Sequence, residues 1–89
     1  MSIGLRETVK MIRAAYPGNE EVVKDVVHVE IWDYSMRRFA EGASATDIFS
    51  EVNEELHTKD VKSLVAIIQR ARDEWQDILP GARVVILVG

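Results

Sequence analysis

Val26-Val27-His28-Val29-Glu30-Ile31 is the stretch on which the fold class turns. Its β-branched side chains and partial alternation are what a strand carries. The flanking residues argue the other way. Asn19 stands where a helix N-cap belongs, Glu20 and Glu21 follow in the first turn, and Gly42 fits the left-handed position just past a helix end. No turn residue interrupts the run between them. The spacing therefore predicts one helix from Asn19 to Glu41, apolar around most of its circumference and so touched from several sides. The alternative is an α+β fold in which Val26–Ile31 is a strand.

Upstream, Leu5, Val9, Ile12 and Tyr16 recur at helical spacing, and Pro17-Gly18 stops the helix they form. Downstream, Ser44-Ala45-Thr46-Asp47 reads as a capping box for a third helix with Ile48, Phe49, Val52 and Leu56 on one face. Thr58 is placed to cap a fourth. There Val61, Leu64, Ile68, Ala71, Trp75 and Ile78 keep the most regular helical rhythm in the chain, and Pro80-Gly81 is expected to end it.

The final residues are of another kind. Val84-Val85-Ile86-Leu87-Val88 is an unbroken aliphatic run that predicts a short buried β-strand. A lone strand leaves its backbone donors and acceptors unpaired, so it needs a neighbour. Val26–Ile31, the same segment of a second copy, or a strand of another protein could supply one. The expected class is mainly α: a small four-helix domain, residues 1–89 as a single helical domain, with a short C-terminal strand.

The chain has 89 residues, 47% of them hydrophobic and 29% charged, which is a globular balance. A domain this short buries about 60–65% of the surface its unfolded chain exposes, so its core is thin. With no cysteine, disulfides, thiolate-bound zinc and cysteine nucleophiles are excluded. The first residues lack the pattern of a secretory leader, and no apolar stretch approaches the roughly 20 residues of a membrane span, so a cytoplasmic location is expected. A net charge of −4 argues against wholesale attraction to nucleic acid or anionic lipid.

Little in the sequence points to chemistry. Asp25-x-x-His28 and Glu54-x-x-His57 have the spacing found in di-iron carboxylate sites, but the further inward carboxylates such a site needs are not identifiable. Solvated polar residues are the plainer account of both pairs. No serine sits in a nucleophile elbow, and the glycines are scattered rather than gathered into a phosphate loop. The expectation is a protein without catalytic residues, metal or cofactor, and with no evident small-molecule substrate.

Arg38–Ile48, then Val52, then Thr58-Lys59-Asp60-Val61 is loosely similar to helix-turn-helix DNA-binding proteins. The resemblance implies a fourth helix entering the major groove with Thr58, Lys59, Lys62 and Ser63 near its leading end. Two features depart from the pattern. The connection from Val52 to Val61 reads longer than a three- to four-residue turn, with Asn53-Glu54-Glu55 continuing the helix. The preceding helix also carries Asp47, Glu51, Glu54 and Glu55 with no base, which would repel phosphates. The acidic clusters in Asn19–Asp33 and Asp47–Glu55 read as solubilising faces.

What remains is apolar surplus. Trp32, Trp75, Phe39, Phe49, Tyr16 and Tyr34 are many large rings for four short helices, and Val84–Val88 adds to them. Surplus apolar surface on a small domain without staples points to self-association or a permanent partner. The functional expectation is a non-catalytic protein–protein interaction module, homodimeric, with Trp32, Trp75, Val84, Val85, Ile86, Leu87 and Val88 at the interface. A helix-turn-helix regulator is the alternative.

Overall fold

The structure, a computed structural model, describes residues 4–88, with side chains as far as Ile78. It consists of α1 (Leu5–Ala15), α2 (Glu20–Ala40), α3 (Ala45–Leu56) and α4 (Val61–Val88). α4 as bounded takes in Pro80-Gly81 and Val84–Val88, where a stop and a short strand are expected, and the side chains of residues 79–88 lie outside those described. Among the described residues, no strand occurs.

Val26–Ile31 is helical, inside α2, so the α+β alternative that pairs it with Val84–Val88 is set aside. The caps overrule the local β preference. The Asn19 side chain accepts a hydrogen bond from the Val22 amide at 3.4 Å. Past the other end, Gly42 takes a φ of +94°, a conformation that costs glycine little and other residues more. A helix fixed at both ends, with Ile31 and Val23 buried between, gains more from packing than β-branched residues lose in rotamer freedom.

The Ser44 hydroxyl accepts the Asp47 amide at 3.1 Å, as the capping reading expects. The cap of α4 is a correction. Asp60, not Thr58, holds the helix start, accepting the Ser63 amide at 3.1 Å and the Ser63 hydroxyl at 2.7 Å. Thr58 acts one step earlier, accepting the Asp60 amide at 3.2 Å. A carboxylate fits this end of a helix better than a hydroxyl, because it meets the positive pole of the helix dipole.

α2 and α4 run side by side in the same direction, with Lys24 and His28 near Asp60 and, farther along, Trp32 reaching Glu74. α1 and α3 run the opposite way. Each of them packs on α2, and α3 packs on α4 as well, but among the described residues no Cα of α1 lies within 8 Å of α4. The core is aliphatic: Leu5, Ile31, Ile48, Val52, Leu64 and Ile68 form one cluster, with Ile48 and Val52 fully buried at 0% exposure. Ser35 is buried too, and its hydroxyl donates to the Ile31 carbonyl at 2.8 Å, so no polar group is stranded there. None of the aromatic rings is fully buried.

Candidate functional site

Two surface features stand out, one along the α2–α4 pair and one at the end of the bundle where α4 begins.

The first is a shallow groove between α2 and α4 lined by His28, Val29, Trp32, Ile67, Arg70 and Glu74. Val29 is 60% exposed, and Ile78, one turn beyond Glu74, is 51% exposed. Trp32 is half-buried, with its indole N–H donating to Glu74 Oε2 at 2.7 Å. The other Glu74 oxygen faces Arg70 Nε at 3.4 Å. One carboxylate thus fixes the orientation of an indole ring and leaves its apolar face beside Val29. Spacing along α4 predicts the Arg70–Glu74 pair. The Trp32–Glu74 bond joins residues far apart in sequence, and no local pattern reveals it. Trp75, also half-buried, does not line this groove. The side chains of the remaining residues expected at the interface, Val84–Val88, lie outside those described.

The second feature is a cleft of about 480 Å³ enclosed by α1, α2 and the α3–α4 connection. Its floor is apolar, formed by Val23, Val27, Ile31 and Leu64 among others. Its rim is polar and includes Lys24, His28, His57, Lys59 and Asp60. Both histidines of the chain therefore meet at one opening, although neither Asp25-x-x-His28 nor Glu54-x-x-His57 forms part of a metal-binding cluster among the described residues. Hydrogen bonds from Ser63 hold the Asp60 carboxyl below its usual range, with Lys24 and His28 adding to the effect. His57 caps α3 with a φ of +47°, a left-handed conformation unusual for a side chain with a Cβ.

Of the residues implied by the helix-turn-helix resemblance, Thr58, Lys59 and Ser63 line this cleft and Lys62 does not. The connection itself is shorter than expected: α3 continues through Leu56, leaving His57–Asp60 between the helices. A connection of four residues is within the range of a helix-turn-helix turn. Glu51 is not a free acid, because Arg38 of α2 binds it through both oxygens. At the leading end of α4, however, the Ser63 hydroxyl is tied to Asp60, a carboxylate.

A third cluster explains part of the acidity of α3. Glu51 accepts the Tyr34 hydroxyl at 2.7 Å and the Arg38 Nε and Nη2 at 2.9 Å each. These bonds, Arg38 first, hold the Glu51 carboxyl below its ordinary range. Burial, then the Glu51 carboxylate, pushes the Tyr34 hydroxyl up to about 12. The arrangement joins α2 to α3 and leaves no buried side-chain polar atom unpaired among the described residues.

No known protein family, curated protein or solved structure matches this chain. Among the described residues, no helix is long and apolar enough to cross a membrane.

Proposed function

We propose that this protein is a non-catalytic protein–protein interaction module that pairs with a second copy of itself through the α2–α4 face. The supporting observation is the exposed Val29, with Ile78 farther along the same face, beside a Trp32 ring whose polar edge is already satisfied by Glu74. A tryptophan held in one orientation loses little entropy on contact, and aromatic anchors of this kind dominate binding energies. The helices on either side run in register, so a two-fold partner would meet the same ridge of α2 and α4. Trp75 and Val84–Val88 belong to the proposed contact by their sequence character.

Molecular mass in solution tests the reading directly. The full chain should be dimeric, and Val29→Glu should yield a monomer with unchanged helical circular dichroism. A chain that stays monomeric at high micromolar concentration overturns self-pairing. A dimer that survives both Val29→Glu and Ile78→Glu overturns the choice of face.

Binding to duplex DNA is a second reading, favoured by the four-residue connection His57–Asp60 between α3 and α4. It predicts retardation of random duplex at about 50 mM salt that weakens steeply as salt rises. No retardation there ends it.

A further inference from the structure

We infer that the cleft at the start of α4 is a binding site for an anionic amphiphile, an alkyl chain ending in a carboxylate. This goes beyond the interaction reading and does not rest on it: the cleft lies among α1, the first half of α2 and the start of α4, and shares only His28 and Ile67 with the groove of the proposed contact face.

Shape and lining come first. A recess of about 480 Å³ lies within the size range of small-ligand pockets, and its apolar floor with a few convergent polar groups is their usual make-up. Val23 and Leu64 are already buried at the base, and Val27 and Ile31 continue the same surface. Such a floor offers a hydrocarbon chain aliphatic contact along Val23, Val27, Ile31 and Leu64.

Charge selects the head group. The whole chain carries −4, yet this opening gathers Arg13, Lys24 and Lys59 against Glu20 and Asp60. Asp60 faces Ser63 through two hydrogen bonds at the helix cap, and with its charge counted the rim still carries one more cation than anion. His28 and His57 add two further nitrogen donors to the rim. An anion entering here meets three cations and two imidazoles. A cationic or neutral head group would gain nothing from them.

Backbone conformation adds an independent observation. His57 holds a left-handed φ of +47° at the C-cap of α3, where glycine or asparagine is the usual occupant. Unusual backbone conformations of this kind gather at ligand-binding positions. Here the conformation sets an imidazole on the cleft rim at the junction of α3 and α4.

The probe is decanoate, kept below its micelle concentration, titrated into the full-length protein and followed by calorimetry and by backbone amide NMR shifts. One-to-one saturable binding is expected, with shifts centred on Val23–His28 and Leu56–Leu64. Decanol and decyltrimethylammonium should each bind at least about tenfold more weakly, as should decanoate to Lys24→Glu. Val29→Glu should bind decanoate as the native chain does, which separates this site from the proposed contact face. Absence of saturable binding overturns the inference. So does equal affinity for the neutral or cationic amphiphile, or a set of shifts centred on Val29, Trp32 and Glu74.

Discussion

Glu51 stands 2.7 Å from the Tyr34 hydroxyl and accepts its hydrogen bond, while the same carboxylate grips Arg38 through both oxygens. A phenol donating to a charged carboxylate has strong reason to stay protonated, since losing the proton would set two anions side by side. The Arg38 guanidinium, fixed in a bidentate pair, keeps that carboxylate charged. The three side chains therefore tie helix docking to protonation at both ends of the pH scale.

At high pH the relevant group is Tyr34. Its folded pKa lies at about 12, above the unfolded value of 10.0. The stability it contributes is complete below pH about 10 and is lost as pH rises toward about 12, because the unfolded chain releases its proton first. Tyr34→Phe should flatten this alkaline loss in urea melts run at successive pH values. An unchanged alkaline slope would refute the assignment.

At low pH the sign is reversed. The folded pKa of Glu51 is depressed by Arg38 and Tyr34, so its contribution is present above the unfolded carboxylate value and is lost as pH falls through the folded one. Glu51→Gln should lower the melting temperature at neutral pH and bring it closer to the native value under acid. If the two proteins differ by the same amount at every pH, the Glu51 charge contributes nothing to docking.

Ile48 fills the centre of the core at 0% exposure. Ile48→Ala should cost about 2–5 kcal/mol through lost transfer energy and the void left behind. In a chain of this size each kcal/mol is worth roughly 4–8 °C in Tm. Thermal melting checks it, and a loss below about 1 kcal/mol would mean that the core relaxes around the gap far more than close-packed interiors do.

His57→Gly should act in the opposite direction. Relief of the left-handed backbone at the α3 C-cap is worth about 1 kcal/mol, so the urea midpoint should rise. A lower midpoint would show that the imidazole itself holds the α3–α4 junction. The same variant removes a rim donor and should weaken decanoate binding.

Helix positions were legible because their determinants are local. Asn19, Ser44 and Gly42 act within a turn of where they stand, and the Val61–Ile78 rhythm needs no tertiary knowledge. The Thr58 expectation failed because two capping residues lie two positions apart, and only geometry shows which accepts the Ser63 amide. The α3–α4 connection looked too long because Asn53 through Leu56 carry no sharp helix-ending signal, and the stop comes from His57 in an uncommon conformation. The site was less legible. Trp32 with Glu74, Arg38 with Glu51 and the meeting of His28 with His57 all join separate helices. The two histidines read as surface residues in sequence because local spacing relates each only to its own helical neighbours, while the other stands on a separate element.

The separation of α1 from α4 sets how the cleft between them can behave. One jaw, the start of α4, is braced along α2 and stapled by its own cap. The other, α1, is seated by Leu5 and Ile12, and among the described residues none of its Cα atoms lies within 8 Å of α4. A tilt of α1 would widen or narrow the mouth while the α2–α4 ridge kept its shape. Cargo size at this mouth would be governed by the position of α1, and only His28 and Ile67 would carry the change toward the face proposed to meet a second copy.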